Sequence, residues 1–222
     1  METTVKLVGK VTKSGKDGLV LRTVGIGKDG KEYPDDFYVQ HNLPEPPKPG
    51  EKIELIATTE YDQEDGSVWL QAKSVRPVTS TTDDANLAIA EGTAHGVFQF
   101  FERAQDKMSF GNGLLRVGEK KWQRGVAFGY LAHKLSKEFR AGAIVRMAGR
   151  LRKQSYEKNG ADREVFEIIL DAEHTKIIKK APESNPYDFA GITPEPETGV
   201  KAGMKRMIKR LTESEDLASE VI

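Results

Sequence analysis

The sequence predicts an all-β protein of two small domains, with one short helix in the second and a compositionally distinct tail. Three observations predict it. Runs with period-2 alternation recur through both halves of the 222 residues, the signature of half-buried strands. Between two such runs Leu131, Leu135 and Phe139 recur every four residues, a helical spacing. Finally, Gly50 to Glu60 can be laid on Gly142 to Arg152 without a gap, so that Ile53 and Leu55 fall on Val145 and Met147.

In chain order, Val5 to Val24 gives two β-rich runs around the turn signal Lys16-Asp17-Gly18, and Tyr33 to Gln40 reads as a third strand. Gly25 to Gly30 matches a G-x-G-x-x-G string. A dinucleotide site needs a helix to open there so that its N-terminus meets the pyrophosphate, and Lys31-Glu32-Tyr33-Pro34 does not begin one; a β-turn is the reading. His41 to Gly50 carries four prolines and reads as a rigid loop. Lys52 to Tyr61 and Val68 to Val75 are strands about a hairpin at Asp65-Gly66, closing a first domain at residues 1–78. Residues 79–94 read as a linker that includes a brief helix capped by Asp84.

The second domain spans residues 95–180. In its opening run, His95 to Arg103, Phe98 and Phe100 share one parity and Phe101 and Arg103 the other; the second set is assigned to the ligand side. Met108 to Val117 is the next strand, with a turn or bulge at Gly111-Asn112-Gly113. The following run places Trp122, Arg124, Phe128 and Tyr130 on a single parity. From Ile144 to Tyr156, Val145, Met147, Gly149 and Leu151 form one face, and Arg146, Arg150, Arg152 and Tyr156 the other. Rings interleaved with arginines on a curved sheet suit unpaired nucleic acid, because rings stack on any base while cations follow phosphates. A solvated sheet surface is the plainer alternative.

Charge supports that assignment. The formal net charge is zero, yet residues 1–94 carry −5, residues 95–180 carry +8 and residues 181–222 carry −3. Only the middle block has the footprint of a polyanion binder. In the internal repeat Glu54, Thr58 and Glu60 fall on Arg146, Arg150 and Arg152, so the first domain keeps the apolar face and changes the outward one; it is expected to bind protein or pack against the second domain.

The stretches WQRGVAFGYLAHKLSKEF, GAIVRMAGRLRKQSY and EVFEIIL resemble the second half of a bacterial-type single-stranded DNA-binding protein, over roughly residues 95–178 and most closely from Trp122 to Tyr156. The resemblance implies an OB barrel for this domain and, through the repeat, a tandem OB barrel for the first. It also implies stacking by Trp122, Phe128 and Tyr156 and basic contacts from Arg124 and Arg152. Gly125 and Ala127 depart from it, standing where the family has bulky aliphatics, and the segment from Gly113 to Trp122 implies a trimmed loop. In that family chains with two barrels pair as dimers, so a homodimer is expected; a monomer, or a dimer joined through a tail helix, also fits.

After Lys180 four prolines lie among acidic and small residues, the composition of a flexible segment. A basic amphipathic helix is expected at residues 198–211, with Met204, Met207, Ile208 and Leu211 on one face, followed by the acidic tip ESEDLASEVI. The family tail recruits DNA-processing proteins; here the Pro-Phe ending is absent.

The sequence has no cysteine, which removes disulfides, thiolate metal sites and thiol catalysis together. Its four histidines show no metal-ligand spacing, and neither a phosphate-binding P-loop nor a nucleophile elbow occurs. It contains no apolar run of membrane length. The reading is a non-catalytic protein without cofactor or metal that binds single-stranded DNA in replication, recombination or repair, in the cytoplasm at a nucleoid or phage replication site. The expected partners are that DNA and replication or recombination proteins reached through the acidic tip or the first domain. An RNA-binding OB protein and a protein-interaction scaffold are the rivals.

Overall fold

A computed structural model describes residues 2–26, 31–61, 67–103, 108–119, 121–158 and 160–182. The Asp65-Gly66 hairpin, most of the glycine string, the tail helix and the acidic tip lie outside the described residues. The chain divides into two units, Met1–Gln154 with Glu164–Glu183, and Ser155–Arg163 with Ser184–Ile222. The first unit carries the architecture.

Among the described residues it is all-β with one helix. The strands are β1 Thr3–Ser14, β2 Gly18–Ile26, β3 Glu32–Gln40, β4 Lys52–Tyr61, β5 Val68–Pro77, β6 Ala85–Glu102, β7 Ser109–Arg116, β8 Trp122–Phe128, β9 Ile144–Lys158, β10 Ala161–Leu170 and β11 Lys176–Lys179; α1 is Gly129–Glu138. β1 pairs in turn to β2, β3, β5 and β4, and β4 returns to β1. β6 likewise runs through β7, β8, β10 and β9 and back to β6. Each half is thus a closed ring of five strands, which leaves few open edges. The rings are joined by antiparallel pairing of β1 with β6, from Thr3↔Ala90 to Val8↔Ala85.

Closure follows from the alternation of the strands. Val5 and Leu7 on β1, Leu21 on β2, Phe37 and Val39 on β3 and Ile53 and Leu55 on β4 are buried, as are Ala88, Ala90, Leu115, Val145, Met147 and Ile168 at matching places in the second ring. Phe37 and Phe166 meet at 6.3 Å, so one core runs through both rings. Leu131 and Leu135 of α1, with Phe139 at its C-cap, are buried as the helical spacing predicts.

The repeat extends to backbone detail. Val11 N–H donates to Glu51 O, Gly50 N–H to Val11 O and Glu51 N–H to Lys48 O, at 2.9, 2.8 and 3.1 Å. Ala94, Gly142 and Ala143 make the same three bonds in the second ring, at 2.8, 3.0 and 3.0 Å. Gly50 and Gly142 both have φ near +90°, at 95° and 87°, a conformation that favours glycine.

Three expectations are corrected. Residues 85–94, read as linker with a brief helix, are the first half of the 18-residue strand β6. Asp84 caps no helix: its carboxylate takes the Val24 N–H at 2.8 Å and Lys52 Nζ at 2.6 Å, fastening the segment to β2 and β4. Gly111 and Gly113 make no turn, since β7 keeps unbroken register with β8. They lie beneath Phe98 and Phe139, and a Cβ on Gly111 would stand 2.4 Å from the Phe98 ring. The bulge is instead on β6, between His95 and Gln99.

Candidate nucleic-acid interface

β6, β7 and β8 present an outward face whose rows follow from their register. One row runs Phe101, Phe110, Phe128; the next Gln99, Asn112, Val126; then His95, Leu114, Arg124; and last Thr93, Arg116, Trp122. The intervening residues, Leu115, Gln123 and Ala127 among them, point inward and are buried. Trp122 and Phe128 are each nearly half exposed, at 47% and 46%. Phe101 stacks on Phe110 with centroids 5.4 Å apart, and the His95 ring stands edge-on to Trp122 at 4.8 Å. The surface therefore offers ring faces already held in place by other rings, which lowers the entropy cost when a flat group stacks on them.

Arg124 on β8 and Arg146, Arg150 and Arg152 on β9 each have a carboxylate. Arg124 Nη1 lies 3.2 Å from one oxygen of Glu167 and Arg152 Nη2 lies 2.8 Å from the other; Glu167 is 1% exposed. Arg146 pairs with Glu91, its register partner on β6. Arg150 donates Nε and Nη2 to Asp35 Oδ2 of β3 at 2.9 and 2.6 Å, and Nη2 also to Tyr33 O at 3.1 Å. The parity reading of β9 thus puts the arginines outward, while three ion pairs subdivide the row.

One of the expected residues leaves the strand. Tyr130 does not share the parity of Trp122, because Gly129 at φ 57° turns the chain out of β8 and into α1; Tyr130 sits on the first helical turn, 78% exposed. Tyr156 belongs to Ser155–Arg163 of the second unit, where it is partly exposed. Arg103 follows the end of β6, with its backbone N–H donating to Met108 O at 2.9 Å.

Sequence reasoning missed His95, Phe110, Leu114, Arg116 and Glu167. Phe110, Asn112, Leu114 and Arg116 alternate with Gly111, Gly113 and Leu115, a period-2 signal hidden by reading the glycines as a turn. Gly125 also finds its reason: a Cβ there would lie 2.5 Å from Met147 Sδ, so the methionine fills the volume that a bulky residue would occupy.

The corresponding face of the first ring is different. Register sets Asp36 where the second ring has Trp122 and Tyr38 where it has Arg124. Arg22 grips Asp36 with two bonds, at 2.8 and 2.7 Å, which holds the Asp36 carboxyl below the usual carboxylate range. Glu54 on β4 is likewise held low by Arg76 and then Lys6.

A closed five-stranded ring with one helix between its third and fourth strands is an all-β, OB-like architecture. No family model matches the chain. Among solved structures, the wild-type single-stranded DNA-binding protein from Thermus aquaticus is similar at TM-score 0.61 and 18% identity, over 82% of this chain and 95% of that one. A deletion variant of the same protein gives 0.57 and 17%, over 84% and 97%. A Plasmodium falciparum SSB in complex with single-stranded DNA is 17% identical over 45% of this chain and 96% of that one, at TM-score 0.35. The chain has the fold of the Thermus aquaticus protein. No helix among the described residues is long and apolar enough to cross a membrane.

Proposed function

We propose that the chain consists of two tandem OB barrels and binds single-stranded DNA without sequence preference, through the outward face of β6, β7 and β8 in the second. The observation that supports this reading best is the co-location of Trp122, Phe128 and the Phe101–Phe110 stack with Arg124 on one sheet face. Bases stack on the exposed rings while the guanidiniums of Arg124 and Arg152 meet phosphates; Arg146 and Arg150 contribute by exchanging their carboxylate partners for phosphates. Tyr156 is an independent candidate, to be tested by its own substitution. The protein acts by binding, in replication, recombination or repair. The first barrel, whose equivalent face carries the Arg22–Asp36 pair, serves packing or protein contact. The tail recruits partners, and the assembly is a homodimer.

The test is a titration with labelled oligothymidylate at two salt concentrations, beside duplex DNA and matching RNA. Salt-sensitive binding of the single strand with weak response to duplex is the expected result. Trp122→Ala with Phe128→Ala should weaken it by about 2–4 kcal/mol on the magnitude of stacking per base. Absence of binding by folded protein at low salt sinks the reading; preferential binding of the RNA arm would replace DNA by RNA as the ligand.

A further inference from the structure

Glu167 is an acid at 1% exposure beside a surface proposed to bind a polyanion. Its two oxygens are divided between two strands, Oε1 toward Arg124 Nη1 on β8 at 3.2 Å and Oε2 toward Arg152 Nη2 on β9 at 2.8 Å. Each arginine gives the carboxylate one nitrogen and keeps about a third of its side chain in solvent, 30% and 38%. Among the described residues the Nε of both arginines is buried without a partner, so these side chains are drawn down to the sheet rather than extended into water. Neither the carboxylate nor this posture is required by the ring. Register places Trp69 of β5 where β10 has Glu167, because Leu70 pairs Val39 as Ile168 pairs Gly125. Around Trp69 the positions of Arg124 and Arg152 are held by Tyr38 and Glu60. The same barrel therefore closes with a tryptophan where β10 has the carboxylate and with no arginine beside it.

We infer that Glu167 is a positioning residue: it fixes the guanidiniums of Arg124 and Arg152 side by side as a two-pronged receptor for the nucleic-acid backbone. The inference rests on the proposed binding face. Two long side chains free in solvent lose rotamer freedom on meeting a phosphate, whereas two already held by a buried carboxylate do not, and a guanidinium presents its remaining N–H groups in a fixed plane. The cost is one negative charge under the ligand. That opposition gives the test its sign. If Glu167 acts only as a local charge, removing it makes the face more positive and tightens binding; if it positions the arginines, removing it weakens binding although the net charge rises by one.

The experiment is the anisotropy of labelled oligothymidylate with the full chain, for wild type, Glu167→Gln and the double variant Arg124→Lys with Arg152→Lys, each across a salt series. Glu167→Gln is expected to bind about tenfold more weakly, the equivalent of roughly one charge-assisted hydrogen bond. Its salt slope should become shallower by about 0.7 for each phosphate that is no longer neutralised. The lysine variant keeps every charge and Glu167, and is expected to bind about tenfold more weakly with the wild-type slope. Failure of wild type to bind removes the proposed function and this inference together. Wild-type binding with equal or tighter affinity in Glu167→Gln overturns the inference alone. Where Glu167→Gln does not melt cooperatively the lysine variant decides, and affinity equal to wild type overturns it.

Discussion

Arg150 is fastened to the first ring, and removing it should loosen the junction more than removing its partner does. The guanidinium makes two bonds to Asp35 Oδ2, at 2.9 and 2.6 Å, and one to Tyr33 O at 3.1 Å. Asn86 lies on the same junction: its Nδ2 reaches Asp35 at 3.3 Å and Leu151 O at 2.9 Å, while its Oδ1 accepts the Leu151 N–H at 2.9 Å. The two side chains of the pair are unequally wet, 36% exposed for Arg150 and 20% for Asp35. A hydrogen bond to a charged group is worth about 1.5–3 kcal/mol when buried, and solvent screening reduces that for a pair so exposed. The coupling energy in a double-mutant cycle of Asp35→Ala and Arg150→Ala is therefore expected at about 1 kcal/mol. Arg150→Ala alone should cost about 2 kcal/mol, because among the described residues it leaves the drier carboxylate with the long Asn86 contact alone; Asp35→Ala should cost about 1 kcal/mol, because the guanidinium can hydrate. Urea denaturation of all four proteins measures this, with m-values compared to confirm that the transition is the same. A coupling below about 0.3 kcal/mol, within the error of additivity, would refute the reasoning and make the contact a surface pair of no consequence.

Gly9→Ala and Gly92→Ala should destabilise by similar amounts, about 1–3 kcal/mol each, since a Cβ would lie 2.2 Å from Arg22 O in the first case and 2.4 Å from Arg116 O in the second; thermal or urea midpoints that differ widely between the two would deny the equivalence of β1 and β6. Glu54 has its carboxyl held low in the folded protein by Arg76 and Lys6, so its contribution is present above the ordinary carboxylate range and is lost as pH falls below about 4. Glu54→Gln should consequently flatten the acid limb of a stability–pH profile while leaving the slope near neutrality alone, and an unchanged acid limb would remove Glu54 from that role.

Much of the barrel was legible because alternation carries it. The bounds Lys52–Tyr61 and the inward set Val145, Met147 and Leu151 follow from period 2 alone, and α1 follows from the period near four. Residues 85–94 were not legible as strand because polar residues surround them and alanines supply much of the inward set; Ala88, Ala90 and Ala94 are too small to mark a core face by hydropathy. The correspondence in sequence of Val5, Leu7, Gly9 and Val11 with Ala88, Ala90, Gly92 and Ala94 was the available signal, an apolar-x-apolar-x-Gly-x-apolar string common to both. At the site, Trp122, Arg124 and Phe128 could be placed from one strand, whereas Phe110, His95 and Arg116 join them only through pairing between strands, which no single run displays. The carboxylates opposite the arginines were hidden for the same reason: Glu91, Asp35 and Glu167 come from three different strands.

The two rings separate what a barrel must keep from what it can change. The left-handed glycines Gly50 and Gly142 and the three backbone bonds at each ring closure are held in common, because the same turn closes each ring. Outward positions carry no such demand. Asp36, Tyr38, Glu60 and Trp69 in one ring stand for Trp122, Arg124, Arg152 and Glu167 in the other without altering a strand pairing. The cations of the second ring are then balanced from inside the fold, by Glu167 and Glu91 of its own strands and by Asp35 of the other ring. A polyanion approaching this surface meets a set of ion pairs rather than bare charge. On the proposed function, its affinity would depend on which arginines keep their partners while binding it, as Arg124 and Arg152 can around a shared carboxylate, and which must release them, as Arg150 must from Asp35.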